Sequence, residues 1–470
     1  MEREFDVIVV GAGPAGEVIA GRLVDRGGKR VALVERELVG GECSFYACMP
    51  SKALLRPGET LQETRRTPGA AEAVTGALSP SAVLKRRDEV IHDLDDSGQL
   101  PWLSDRGIEL VRLPARLDGE RRVRGGEEVL VAREAVVLAV GSGALLPPIP
   151  GLAQAHAWSN REITTASAVP ERLVVLGGGV VGVEMAQAWA SLGAQVTVVE
   201  AMERLLGREE PGAAQEVREA LEARGVEVRT GVSAGEISRE GEQVTVHLED
   251  GDAVSGDRLL VAIGRQPHTK DLGLETIGLE EGAGLGRGGY IEVDDHMRVP
   301  GHDWLYAIGD VNGRSLLTHS GKYQGRIATD NILGEDAVAV ADDAGAPRVI
   351  FTDPQVAAVG MTLEGAQQAS LPAEAIDLHT AGTAGASFYG RDTPGTSRFV
   401  IDTQRHVLLG VTFVGFEVAD FLQAATIAVT AEVPLHRLAH AVAAFPTRSE
   451  LWLKLIEACE ERFGLTLHGR

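Results

Sequence analysis

Cysteine is scarce: three residues in 470, too few to staple a secreted domain together with disulfides. Positive charge is also short. There are 45 Lys+Arg against 68 Asp+Glu, a net charge of −23, and so acidic a chain is a poor electrostatic partner for nucleic acid or an anionic membrane surface. No run of about 18 apolar residues is free of Gly, Pro or charge, so no membrane span is expected. The chain enters an apolar strand almost at once, which leaves no room for a signal peptide. A cytoplasmic location is expected. Only six of the cations are Lys, a bias to which no function is assigned.

What remains is ordinary globular composition, 44% hydrophobic and 24% charged, in a length suited to about three domains. That excludes disorder and fibre. Glycine is in excess, 57 residues, or about 12% against an average near 7%. It shows no collagen period, so the glycines serve tight turns and close approach of backbone to ligand.

Residues 5–10 (Phe-Asp-Val-Ile-Val-Val) read as a buried parallel strand, followed by Gly11-Ala12-Gly13-Pro14-Ala15-Gly16 and a helix to about Asp25. A second apolar run, Val31–Val34, closes on Glu35, 19 residues beyond the third glycine. A lone GxGxxG says little, but strand, turn, helix, strand and acid in this order mark a dinucleotide fold. The glycines let a pyrophosphate sit at the helix N-terminus, and the carboxylate takes ribose hydroxyls. The unit recurs: strand Leu173–Leu176, Gly177-Gly178-Gly179-Val180-Val181-Gly182, a helix to about Leu192, and Val196–Val199 closing on Glu200. Two such folds suggest two dinucleotides; the bland alternative is glycine-rich turns without a ligand.

Between the two units, 53–110 reads as mostly helical, and 111–140 as a small antiparallel patch ending in the strand Ala135–Val140. Boundaries are expected at Gly141-Ser142-Gly143 with the Pro-rich 147–150, and near Gly264-Arg265-Gln266-Pro267. A strand and Ala307-Ile308-Gly309-Asp310 follow. A polar link at 336–347 then precedes a last region of alternating strands and helices.

Cys43 and Cys48 are the chain's one close cysteine pair. On a regular helix five residues give a rise of about 7.5 Å and an offset near 140°, placing the Cα atoms roughly 8.6 Å apart. A disulfide tolerates at most about 7 Å. If the two pair, the helix must be distorted or only beginning, and Pro50 fits a start nearby. A helix N-terminus would also favour the thiolate. Zinc is a rival reading, but CxxC spacing and further Cys or His ligands are missing, so no metal site is expected. Two bystander thiols are the third alternative.

The order of these motifs resembles the flavoprotein disulfide reductase family, that of dihydrolipoamide dehydrogenase, glutathione reductase and mercuric reductase. The resemblance covers essentially the whole chain. It implies an α/β fold, with two Rossmann-like dinucleotide-binding domains and a C-terminal α+β dimerisation domain. The expected division is 1–150 and 269–345 for FAD, 151–268 for NAD, and 346–470 for the dimer interface, which includes Phe351-Thr352-Asp353-Pro354. The FAD site would use Gly11, Gly13, Gly16, Glu35, Gly41, Lys52, Ala115, Gly141, Ser142, Asp310, Leu317, Thr318 and His319. The NAD site would use Gly177, Gly179, Gly182, Glu184, Glu200, Val232 and Gly264. NADH is expected over NADPH, since Glu200 would repel a 2′-phosphate; the nearby Arg204 and Arg208 would offset that repulsion. The implied catalytic set is Cys43 toward substrate, Cys48 toward the flavin, and Lys52 paired with Glu184 beside the flavin, in a homodimer acting on a small-molecule acceptor.

The family pattern breaks at one place that matters. Its other subunit normally presents His-Pro-Thr-x-Ser-Glu, and here the segment is Phe445-Pro446-Thr447-Arg448-Ser449-Glu450. Phenylalanine cannot exchange a proton with Cys43, and general acid–base help is typically worth about 10²–10⁴-fold. Glu450 either still reaches the active site or closes a capping box, Thr447-x-x-Glu450, at the last helix. His440, as a displaced base, would sit on the preceding helix instead. Ser44-Phe45-Tyr46-Ala47 replaces the usual Leu-Asn-Val-Gly; it either shapes an apolar acceptor pocket or fills core. A mercuric-reductase-like Cys pair near the end is missing, and Cys459 reads as a core thiol. Beside disulfide reduction, reduction of a quinone or metal ion without a His, and a non-catalytic redox-sensing flavoprotein, stay open.

Overall fold

The computed structural model describes residues 2–342, 345–390 and 393–468, so positions 343 and 344 of the expected polar link lie outside the described residues. The chain divides into two compact units, 1–50 with 88–145 and 264–343, and 51–87 with 146–263 and 344–470.

The first unit is built on a seven-stranded sheet. Its parallel core runs Glu109–Arg112, Val31–Glu35, Glu2–Val10 and Glu128–Leu138. The strand Glu128–Leu138 changes partners along its length. Its first part pairs antiparallel with Arg122–Gly125, and its last residues pair parallel with Leu305–Ala307. Val7–Val10, Val31–Val34 and Val136–Leu138 are buried apolar stretches, the run expected of a parallel sheet covered on both faces. Helices Pro14–Gly27 and Thr318–Ile332 belong to one of its two apolar clusters, where Ile19, Leu23 and Ile327 meet Val7, Val9 and Val137.

The second unit holds a four-stranded parallel sheet, in order Glu227–Thr230, Gln195–Glu200, Arg172–Leu176, Arg258–Val261. A three-stranded antiparallel sheet, Ala234–Glu240, Gln243–Leu248 and Ala253–Gly256, accompanies it. C-terminal to these stands a five-stranded antiparallel sheet with the helices Val418–Thr430 and Glu450–Phe463 packed on it. The architecture is therefore α/β with two Rossmann-like folds and a C-terminal α+β region. Cys459 is wholly buried in the last cluster among Leu451, Leu455 and Phe413, and burial pushes its thiol up to about 12.

One cation is buried for structural reasons. Arg87, 1% exposed, stands in the last turn of the helix Pro80–Val90 and donates to the carbonyls of Thr164 and Ala166, where the helix Asn160–Thr165 finishes. Helix C-termini leave carbonyls without intrahelical donors, and a guanidinium satisfies two at once. Arg87→Met strips both of a charged donor. A loss of about 3 kcal/mol is expected, seen as a thermal midpoint lower by at least about 5 °C; an unchanged midpoint would contradict this role.

Candidate active site

The two glycine-rich turns repeat one geometry. Gly11 and Gly177 both have φ +106°, where L side chains strain, and a Cβ on either would lie 2.3 or 2.4 Å from the carbonyl oxygen of Ala139 or Ala262. Gly16 and Gly182 leave no room either, since a Cβ would sit 1.9 Å from the oxygen of Gly11 or Gly177. Gly13 and Gly179 are the opposite case: nothing lies within 4 Å of an added Cβ. The middle glycine of each turn thus faces an open cradle at a helix N-terminus, where backbone N–H groups and the helix dipole receive phosphate. The residues fit a dinucleotide in both units.

The acids close the turns in the same way. Glu35 accepts from the N–H groups of Ala12 (2.7 Å) and Glu37 (2.8 Å). Glu200 accepts from Gly178 (2.5 Å) and Met202 (2.7 Å). Arg204 donates to the carbonyls of Gly207 and Glu209, each at 2.9 Å, so its guanidinium is tied back to its own loop. Val232 follows the strand Glu227–Thr230 and donates to the Glu200 carbonyl (3.3 Å).

Further FAD candidates gather in the first unit. A Cβ on Gly41 would come within 2.9 Å of Gly13 Cα. The buried Ser142 hydroxyl donates to Asp310 and accepts from Arg265 Nε (2.7 Å). Gly141 accepts from the N–H of His268 (3.1 Å), and Gly264 accepts from Leu145 (3.0 Å). Ala115 is half-buried just before the short strand Arg116–Leu117. Leu317 is the N-cap of Thr318–Ile332, so Thr318 and His319 open that helix.

Cys43 lies in the short helix Gly41–Phe45, and Cys48 begins the next helix, Cys48–Arg66. Tyr46, at φ −132° and ψ −3°, leaves the helical path between them. This interruption lets the two sulfurs converge where a continuous helix would hold them apart. The Thr318 hydroxyl donates to Cys43 Sγ at 3.1 Å and lies 3.4 Å from Cys48 Sγ. Neither cysteine is in a disulfide in this structure. A hydrogen bond to Cys48 and burial hold the Cys43 thiol well above its ordinary value, with Thr318 and Lys322 pulling the other way. Burial also pushes Glu17 up to about 7 against the pull of Lys322. Phe45 is buried beside Gly40, so it fills core, while Tyr46 is half-buried.

In the second unit, Lys52 Nζ stands 2.8 Å from Glu184 Oε2, and the Glu184 side chain is 3% exposed. Glu184 Oε1 accepts from the N–H of Phe351 at 2.9 Å. Nothing in the sequence pattern had put Phe351 beside this pair.

Phe445 is 78% exposed. The last helix starts at Glu450 with Ser449 as N-cap, so the expected capping box is only half made. Glu450 Oε1 accepts from the N–H of Thr447 (3.0 Å), but the Thr447 hydroxyl donates to the Ala444 carbonyl (2.6 Å). The same Oε1 also accepts from the N–H of Gly385 (3.0 Å), at a spot where a Cβ would lie 2.2 Å from the Thr447 carbonyl carbon. Glu450 is therefore a clamp between two backbone segments. His440 falls just past the short helix Leu435–Leu438, its Nε2 3.4 Å from the Leu467 carbonyl.

These sites sit in a chain whose residues 5–325 match the pyridine nucleotide-disulphide oxidoreductase family and whose residues 346–456 match that family's dimerisation domain. The chain belongs to this family and is an FAD-dependent oxidoreductase. A dihydrolipoyl dehydrogenase of Haloferax volcanii is 31% identical over 98% of this chain and 97% of its own length. A mercuric reductase of Staphylococcus aureus is 27% identical over 95% of this chain and 81% of its own. Among solved structures, the Cu(II) complex of the HOCl-induced flavoprotein disulfide reductase RclA from Escherichia coli superposes with a TM-score of 0.85. Its identity is 25%, covering 97% of this chain and 99% of that one. Among the described residues no helix is long and apolar enough to cross a membrane, and no group of three or more His, Cys, Asp or Glu is placed to hold a metal.

The Glu450 clamp makes a specific forecast. Glu450→Ala should speed amide hydrogen exchange at Gly385 and Thr447 by about tenfold or more, the worth of a lost acceptor at a half-buried donor. Glu450→Gln, which keeps an acceptor oxygen, should stay near wild type. Unchanged exchange in the alanine variant would remove the clamp.

Proposed function

We propose that the enzyme is a cytoplasmic homodimer that takes electrons from NADH through FAD to the Cys43–Cys48 pair, and delivers them to a small-molecule acceptor whose reduction needs no imidazole. On this reading residues 1–150 and 269–345 hold FAD, 151–268 hold NAD and 346–470 form the dimer interface. The observation that carries it is the meeting of both thiols on one hydroxyl, that of Thr318.

FAD, when bound, supplies the two-electron relay between nicotinamide and sulfur. Gly11, Gly13, Gly16, Glu35 and Gly41 would hold its pyrophosphate and ribose end. Asp310, steadied by Ser142, would take the ribityl chain, with Ala115, Gly141, Leu317 and His319 around it. Gly177, Gly179, Gly182, Glu200, Val232 and Gly264 would receive the nicotinamide dinucleotide. Lys52, anchored by Glu184, would set positive charge where the flavin gathers electrons, an electrostatic task that preorganised groups do best. Two electrons and two protons open a Cys43–Cys48 disulfide to two thiols, and an oxidising acceptor takes the same electrons back. On this reading Cys48 faces the flavin and the Cys43 sulfur meets the acceptor.

The preference for NADH is supported by Glu200 at the ribose position and by the tie-back of Arg204, which spends its donors on Gly207 and Glu209. A second reading, with a metal ion as acceptor, is favoured by Phe445 in the His position and by the likeness to a flavoprotein disulfide reductase solved as a Cu(II) complex.

Steady-state NADH oxidation with lipoamide, glutathione disulfide, quinones, metal salts and no added acceptor tests the proposal. Disulfides are expected to turn over slowly, and quinones or metal salts faster. Phe445→His should raise disulfide turnover toward the roughly 10²-fold or more that a positioned acid–base group supplies, short of it if the Glu450 clamp withholds its carboxylate. Fast wild-type turnover of a disulfide, or kcat/KM equal for NADPH and NADH, would overturn the acceptor or the nucleotide half of the proposal.

A further inference from the structure

The segment Phe351–Gln355 belongs to neither dinucleotide turn nor the thiol pair, yet it is laced to both helices that carry Lys52 and Glu184. Phe351 N–H donates to Glu184 Oε1 (2.9 Å), and Lys52 Nζ lies 4.7 Å from the centroid of the Phe351 ring. Two residues on, Asp353 N–H donates to Gln187 Oε1 (2.7 Å), three positions beyond Glu184 on the helix Val180–Ser191. The Asp353 carboxylate, 2% exposed, takes Arg66 at 3.0 Å and Arg224 at 2.6 Å. Arg66 ends the same helix, Cys48–Arg66, that carries Lys52. Gln355 completes the lacing by donating to Glu59 Oε1 (2.7 Å) on that helix.

Each contact narrows where one ammonium group is held. Glu184 has two carboxylate oxygens. A main-chain N–H that cannot rotate away occupies one, so the other is aimed at Lys52 (2.8 Å). The Phe351 ring face then attracts the same ammonium from a second direction. A lysine stem otherwise samples many rotamers, and a carboxylate alone permits a cone of positions. The salt bridges at Asp353 and the Gln187 and Gln355 bonds keep the segment from drifting.

We infer that Phe351 is a positioning residue for the Lys52 ammonium, and that the segment Phe351–Gln355 is the means by which the C-terminal region sets where that charge sits. The inference rests on the reading that Lys52 acts on the flavin.

The test compares Lys52→Met, Phe351→Leu, Phe351→Met, Phe351→Tyr and the double variant Lys52→Met with Phe351→Leu, all as FAD-loaded protein. The readouts are the flavin midpoint potential, the stopped-flow rate of flavin reduction by NADH, and the thermal midpoint. Lys52→Met should make the potential more negative. Phe351→Leu and Phe351→Met should shift it the same way and slow reduction by about 2- to 30-fold, the range a cation–π contact spans. Phe351→Tyr keeps the ring face and should stay within about twofold of wild type. In the Lys52→Met background, Phe351→Leu should add nothing to the potential shift. If Lys52→Met shifts the potential while both Phe351 variants leave it in place, or if Phe351→Leu acts equally without Lys52, the inference fails and the role of Lys52 stands. No shift in Lys52→Met would overturn that role and the inference with it.

Discussion

Glu184 stands with 3% of its side chain exposed, and a carboxylate so placed has to have both oxygens occupied, because an unpaired buried charge costs several kcal/mol. The second unit is organised around meeting that demand. Lys52 comes from one helix, the Phe351 N–H from the C-terminal region, and Glu184 itself from the helix that follows the second glycine-rich turn. Three stretches far apart in the chain are held to one geometry by one acid. Removing any partner leaves the others with charge or hydrogen-bonding capacity and nowhere to place it.

The first unit solves a different problem, that of bringing two sulfurs together in a segment that wants to be helical. Tyr46 and Ala47 interrupt the helix, Cys48 starts a new one, and the Thr318 hydroxyl holds both sulfurs from the neighbouring helix. The Phe445 ring is unable to move a proton, and Glu450 spends its carboxylate on the backbone N–H groups of Gly385 and Thr447.

Both dinucleotide folds were legible in the sequence because the first and third glycines of each turn answer to sterics that admit no other residue. A Cβ on Gly16 or Gly182 would strike a carbonyl oxygen at 1.9 Å, and such constraints leave a short pattern along the chain. The five-residue spacing of Cys43 and Cys48 was less informative: it said that a continuous helix would hold the sulfurs apart, and by itself left a redox pair, a metal site and bystander thiols open. What the sequence hid were contacts between residues more than a hundred positions apart. Thr318 lies 275 residues from Cys43, and Phe351 lies 167 from Glu184. Glu450 shows the middle case, where a local motif was recognisable but half of it went elsewhere: the Thr447 hydroxyl bonds to Ala444, and the carboxylate's second donor is Gly385.

The account turns on Cys43 and Cys48 being a redox pair that fills and empties together with the flavin. Anaerobic titration of the FAD-loaded protein with dithionite counts this directly. A disulfide is a two-electron couple, so the oxidised protein should take up about four electrons per subunit, and Cys43→Ser or Cys48→Ser about two. A wild-type protein that is fully reduced by two electrons would make the cysteines spectators and contradict the account.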